Sequence, residues 1–183
     1  PRVEDPAVAP PTNAFTGPVG IKAGPYVGAR LRAAGAPREI VVTRLGVQSR
    51  VLPISGQSGT LLPPDDPQLL GWWREGKPTG AQFGTAVVTG HTVHDGGGAL
   101  DHLGRLVKGD AVRVRTDNGW IGYTVQRTQV YSRAELAASA EEVFRLSGPG
   151  RLVLITCDDW NGEAYESNAV VVATPVADEP FTS

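Results

Sequence analysis

LVLITCDDWNG, residues 152–162, begins as a continuous apolar run and ends in two aspartates, a tryptophan and an Asn-Gly pair. An unbroken apolar run this short, with no helical spacing, reads as a strand buried on both faces. Cys157, the only cysteine in the chain, falls where that run ends. Asp158 and Asp159 cannot continue a core, so the thiol is expected at a strand terminus beside a loop, accessible to a reacting partner. The competing reading is a buried structural thiol, since free cysteine packs as a small hydrophobe. The two aspartates would disfavour a thiolate if they faced it, so they are expected to point to solvent or to bind the loop backbone.

Outward from this stretch the chain reads as mainly β. Its 183 residues suit one ordinary domain, and its 23 glycines and 15 prolines favour frequent turns over long helices. EIVVTRLGVQSRVLPI (39–54) reads as a hairpin about Gly46, and TAVVTGH (85–91) as a short strand ending at Gly90 and His91. AVRVRTD and GWIGYTVQRTQVY alternate on either side of Asp117-Asn118-Gly119, a strong hairpin signal. SRAELAASAEEVFRLSG reads as one helix, with a capping box from Ser132 to Glu135 and a stop at Gly148. A helical turn is expected at Asp66–Leu70, and another near Leu100, Leu103 and Leu106. NAVVVATPV supplies the last strand. Seven or eight strands with one or two short helices are most economically a closed barrel. Residues 1–38, rich in Pro, Ala and Gly, read as an extended arm or stalk, 39–176 as the barrel, and 177–183 as a frayed tail.

A net charge of −2 gives no reason to expect nucleic-acid binding. A single cysteine excludes an internal disulfide and a thiolate metal cluster. His91 and His94 are spaced as a ligand pair could be, but no third ligand falls in a recognised frame, so neither metal nor cofactor is expected. Gly96-Gly97-Gly98 reads as a flexible turn, without the Lys-Ser/Thr that a phosphate loop requires. What remains is Cys157 at one strand end and His91 at another, far apart in sequence, which is how Cys–His nucleophilic catalysis is usually assembled.

At this point the sequence resembles a known family. TGHTVHDGGGALDHLGRLVKGDAVRV, then a helix, then LVLITCDDWNG and a closing VVVAT strand, is similar to the sortases, with the Leu-x-Thr-Cys signature present as LITC at 154–157. LLPPDDPQLLGWWREGKPTGAQFGTAVVTGHT resembles the Pro-Asp-Asp-Pro, Gly-Trp and Gly-His elements of actinobacterial class F sortases. The resemblance implies an eight-stranded sortase barrel and a transpeptidase. Its nucleophile would be Cys157, attacking the Thr carbonyl of an LPxTG-like sorting signal, and His91 would be the general acid and then base. Thr156 would help position substrate and oxyanion, with Thr92 and Trp160 at the binding site and Trp72 and Trp73 as further lining candidates. The implied acceptor is an amine, from a peptidoglycan precursor or a pilin lysine. The implied setting is a monomer at the outer face of the cell membrane, and a start at Pro1 without methionine fits an anchor segment upstream.

Two points qualify the expected activity. With ordinary pKa values, only about 3% of the thiol and about 24% of the imidazole are charged at pH 7, so the competent ion pair is under about 1% unless the two groups attract each other. The family also carries an arginine on its last strand, and this chain has none after Cys157. Asn168, or less well Glu166, falls at that position, and an amide lacks the charge and fork of a guanidinium. Losing such a donor costs on the order of 2–4 kcal/mol of transition-state stabilisation. Three outcomes follow: Asn168 serves instead, an arginine from elsewhere (Arg44, Arg74 or Arg133) reaches in, or activity is weak. The alternatives to a transpeptidase are therefore an inactive sortase-like peptide-binding domain and a Cys–His peptide hydrolase.

Overall fold

A computed structural model describes residues 7–8, 31–56 and 60–179. Its strands are β1 (Ala7–Val8), β2 (Glu39–Val42), β3 (Val47–Ile54), β4 (Thr60–Leu61), β5 (Leu70–Trp73), β6 (Thr85–Thr89), β7 (Ala111–Thr116), β8 (Gly119–Ser132), β9 (Arg151–Trp160) and β10 (Tyr165–Glu179). One α-helix, α1 (Arg133–Val143), and two 3₁₀ turns, Thr43–Leu45 and Leu103–Arg105, complete the described elements. Eight strands close into a barrel in the order β10-β8-β7-β2-β3-β5-β6-β9, while β1 and β4 pair separately. The expected mainly β, eight-stranded closed barrel with little helix is the observed fold.

Two kinds of strand build the barrel. In β2, β3 and β7 burial alternates along the strand, as it does for strands with one face in water. Ile40, Val42, Val51, Val112, Val114, Ile121 and Tyr123 thus fill the interior, which Leu100, Leu103 and Leu106 help to close. In β6 every residue is buried, and β9 is buried from Arg151 to Thr156. Their second faces are covered by α1, whose Leu136, Ala140 and Val143 recur at helical spacing against Val87, Val153, Ile155, Val170 and Val172. Each such apolar side chain contributes about 1.5–3 kcal/mol on burial. The capping box of α1 is formed: Glu135 N–H donates to Ser132 Oγ at 3.2 Å, and Ser132 N–H to Glu135 Oε2 at 2.8 Å. At its other end Arg151 donates to Val143 O (3.2 Å), to Glu142 O and to Glu142 Oε1 (3.0 Å), capping the helix with a cation where its dipole is negative.

Several expectations need correction. The last strand's partner extends the Cys157 strand to Trp160, with Asp158 opposite Ser167 and Trp160 opposite Tyr165, so the thiol is not at the terminus of its own strand. Asp66–Leu70 is a turn held by Gln68 N–H donating to Asp66 Oδ1 (2.9 Å), with Leu70 already in β5. The stretch around Leu100–Leu106 holds only a 3₁₀ turn, and α1 ends at Val143, with Phe144 as its C-cap, before Gly148. Residues 31–38 pack on the barrel: Ala33 and Ala34 are buried, and Thr116 Oγ1 donates to Ala33 O at 2.6 Å. The remainder of the expected arm, apart from Ala7–Val8, lies outside the described residues. Strand β10 runs on to Glu179, opposite Trp120, so the start of the expected tail is in the ladder.

Gly90 follows the last residue of β6, and a Cβ there would lie 2.6 Å from Leu70 Cδ2 and 2.9 Å from Leu100 Cγ. Gly90→Ala is therefore expected to destabilise the fold by about 1–3 kcal/mol through overpacking, read as a lowered midpoint in urea unfolding.

Candidate active site

The site is set by where one ladder stops while its neighbour continues. Strands β6 and β9 run parallel, with Val87 beside Val153 and Thr89 beside Ile155. The tie continues one residue further, Gly90 N–H donating to Ile155 O at 3.2 Å. Carried past the end of β6, the same count would bring His91 level with Cys157. On its other side Cys157 remains paired with Asn168 of β10. The thiol therefore sits inside one ladder and at the end of another, which is why it is only partly buried although its strand continues.

A buried hydroxyl locks this register. Thr156 Oγ1 donates to Gly90 O at 2.8 Å and lies 2.8 Å from Thr92 Oγ1. Since Thr156 has one proton and gives it to the carbonyl, Thr92 is the donor to Thr156. The Thr156 and Thr92 hydroxyls are thus occupied with each other and with backbone on either side of His91.

The loop after His91 is built around a carboxylate. Asp101 accepts from the N–H groups of Val93 (2.8 Å), Gly97 (2.8 Å) and Gly98 (3.0 Å). Gly96 and Gly97 adopt φ of 87° and 106°, and a Cβ on Gly98 would lie 2.4 Å from His91 O. The triple glycine, expected to be a flexible turn, is a folded cradle that fixes the backbone following the imidazole. The Pro63–Pro67 stretch is laced to the same loop. His91 Nε2 lies 2.8 Å from Pro64 O, and Ala99 N–H donates to Pro67 O at 2.8 Å. A carbonyl only accepts, so Nε2 carries a proton and Nδ1 is the nitrogen open to proton exchange.

From the opposite side, Tyr165 at the start of β10 reaches across, its hydroxyl donating to Thr92 O at 2.8 Å. Burial, followed by the neighbouring Cys157 and then acidic groups, holds its phenol above the usual range. From sequence Pro64 entered only as part of the Pro-Asp-Asp-Pro element, and Asp101 and Tyr165 were given no role. Asp101 alone had a usable signal, a carboxylate three residues beyond a glycine run whose N–H groups needed an acceptor.

Burial pushes the Cys157 thiol up to about 11, with Asp158 adding to the rise and Arg133 opposing it. Of the two placements expected for Asp158, to solvent or onto loop backbone, the first does not hold: it is half-buried, and a Cβ on Gly104 would lie 3.5 Å from its Oδ2. At pH 7 such a thiol is ionised to only about one part in ten thousand. Asn168, 3% exposed, directs its amide to Thr156 O at 3.4 Å. Glu166 is exposed and accepts from Asn161 Nδ2 at 2.6 Å. Arg44 pairs with Asp110 (3.3 Å) and Arg74 with Glu75 (3.4 Å), so of the three arginines considered only Arg133 acts on the thiol. Trp73 is buried on the α1-covered face, and Trp72 packs against the interior cluster with Nε1 donating to Lys77 O at 3.0 Å. The side chains of Asp159 and Trp160 lie outside the described residues. Among the described residues no group of three or more His, Cys, Asp or Glu could hold a metal ion, and no helix is long and apolar enough to cross a membrane.

Two outcomes are expected. Iodoacetamide labelling of Cys157, followed against pH, should show a midpoint near 11, and Asp158→Asn should lower it. Thr156→Val should orphan the Gly90 carbonyl, costing about 1–3 kcal/mol in urea unfolding.

The chain has known counterparts. A family model described as Sortase domain matches residues 40–176. No curated protein matches the chain closely enough to count as a relative. Among solved structures it is similar to sortase C-1 of Actinomyces oris, with 21% identity, a TM-score of 0.55, and coverage of 78% of this chain and 73% of that one. It is similar to sortase C-3 of Streptococcus pneumoniae at 18% identity and TM-score 0.61, covering 80% of this chain and 65% of that one. Sortase A of Corynebacterium diphtheriae gives 15% identity and TM-score 0.61, covering 81% and 64% respectively. At these identities the structures speak for the barrel alone. The family match is independent of them and spans β2 through most of β10. Barrel, LITC strand and family match agree: this chain belongs to the sortase family, a family of cysteine transpeptidases.

Proposed function

We propose that this chain is a cell-surface sortase, of the class F type its Pro-Asp-Asp-Pro and Gly-Trp elements resemble. In this reading it cleaves an LPxTG-like sorting signal after Thr and transfers the acyl group to an amine of the cell wall or of a pilin. The observation that supports the reading is the parallel β6–β9 register, extended by Gly90 and locked by Thr156, whose continuation would bring His91 level with Cys157.

In this mechanism the Cys157 thiolate attacks the Thr carbonyl carbon; a C–S bond forms and the carbonyl π pair moves to oxygen. The imidazolium at His91 gives its Nδ1 proton to the departing amine as the C–N bond breaks, leaving a thioester and neutral imidazole. The incoming amine then attacks the thioester, His91 takes its proton, and sulfur leaves as thiolate. Nε2 stays anchored to Pro64 O throughout, so the ring exchanges protons from one fixed nitrogen. Thr156 and Thr92 act by holding the His91 loop against the Cys157 strand, and Asn168 lies opposite the nucleophile as a neutral donor. Water is the slower competing acceptor. The expected setting is the outer face of the membrane, with the residues before 31 leading from the anchor to the barrel, on which residues 31–38 already pack.

Incubation with a panel of LPxTG-type peptides and triglycine, followed by mass spectrometry, tests this. The expected products are an acyl adduct on Cys157 and an amine-exchanged peptide, both lost in Cys157→Ala and the exchange reduced at least about 100-fold in His91→Ala. Hydrolysis unaffected by triglycine would make the protein a peptidase instead. A folded protein that binds peptides without any adduct would make it a binding domain.

A further inference from the structure

The last strand offers no cation near the nucleophile, and the residue opposite Cys157 is a buried amide turned toward backbone. The strand on the far side of β10 resolves this. Tyr131 pairs with Asn168 and Ser132 with Ser167, so the end of β8 lies two strands from Cys157 and at its level. The next residue is Arg133, the first of α1. Its backbone is fixed by the Ser132–Glu135 capping box at this end and, through the helix, by Arg151 at the other. Its Nη2 donates to Tyr165 O at 3.0 Å, which draws the guanidinium over β10 toward the residue whose hydroxyl holds the His91 loop. The side chain is exposed, so a bound peptide can reach it.

We infer that Arg133 supplies, from the start of α1, the cationic donor that β10 lacks, serving both the Cys157 thiolate and the oxyanion formed on attack. Among the described residues, the charged or titratable groups coupled to the thiol are Arg133 from α1, Asp158 within β9 and Tyr165 from β10, and the proposed site adds His91, just past the end of the β6–β9 ladder. Arg133 is the permanent cation in that set, and its charge lowers the thiol's pKa against the effects of burial and Asp158. During attack the carbonyl π pair moves onto oxygen. A guanidinium N–H donates to that oxygen without giving up its proton, and the pair returns when the C–N bond breaks. A fork of donors on a short helix can meet an oxyanion that a buried amide, already directed to Thr156 O, does not face. The oxyanion role rests on the transpeptidase reading; the thiolate role does not.

The test is alkylation of Cys157 by iodoacetamide across pH, in the intact chain and in Arg133→Gln and Arg133→Lys, with thermal unfolding in parallel. Arg133→Gln is expected to slow alkylation about 3- to 10-fold at any pH below the midpoint and to move the midpoint upward, whereas Arg133→Lys keeps most of the wild-type rate. On an LPxTG-type peptide, Arg133→Gln should lower kcat with KM little changed. Wild-type alkylation in Arg133→Gln would overturn the inference. So would equal slowing in Gln and Lys variants, because geometry rather than charge would then be responsible. A shifted alkylation profile without any acyl-enzyme would keep the thiolate role and reject the transpeptidase reading.

Discussion

The hydrogen bond from Thr156 Oγ1 to Gly90 O joins two strands at the residue where their ladder ends. Before it, β6 and β9 are ordinary buried parallel strands, held by backbone bonds and by apolar side chains on both faces. After it, one chain enters a loop carrying His91 and the other carries Cys157 onward beside β10. A buried hydroxyl that loses its acceptor costs more than the bond contributes when made, so this contact tolerates little drift. Thr92 and Asp101 extend the constraint along the loop, while Pro64 O fixes which imidazole nitrogen faces the chemistry. The loop is thus tied at several points and the ring itself at Nε2, although the segment is neither helix nor strand.

The same architecture makes the thiol a poor acid at rest. Burial opposes the thiolate, Asp158 adds to that, and the residue opposite is a neutral amide. A cation at the start of α1 opposes both. Placing the charge on a helix rather than a strand couples the electrostatics of the site to the packing of α1, whose apolar face covers β9 and β10 and whose far end is capped by Arg151.

Most of the barrel was legible in the sequence because its signals are local. The Asp117-Asn118-Gly119 turn, the capping box at Ser132 and the apolar runs of β6, β9 and β10 each depend on a few adjacent residues. Strands β4 and β5 were missed: two and four residues long, in a stretch rich in Gly and Pro, they exist because they complete long-range pairings. The strand extension past Cys157 failed for a related reason. Asp158 and Asp159 carry no apolar signal, yet β10 supplies partners for their backbone. At the site, His91 drew attention by residue type and its place just past β6, and Cys157 by residue type and the end of an apolar run, although its strand continues to Trp160. Pro64 acts through its carbonyl, which no side-chain identity reveals; Tyr165 contacts a segment far away in the chain, and Arg133, one of three arginines the sequence offered, is set apart from the other two by its long-range bond to Tyr165 O.

The proximity of His91 to Cys157 can be measured directly through the histidine titration. Cys157 would be modified with a sulfonate-bearing methanethiosulfonate, and the three imidazoles followed by NMR against pH before and after. A fixed anion at Cys157 should raise the His91 midpoint by half a unit or more, roughly the effect of an opposite charge within about 6 Å, while His94 and His102 hold theirs. An unmoved His91 in a fully modified, folded protein would contradict the account.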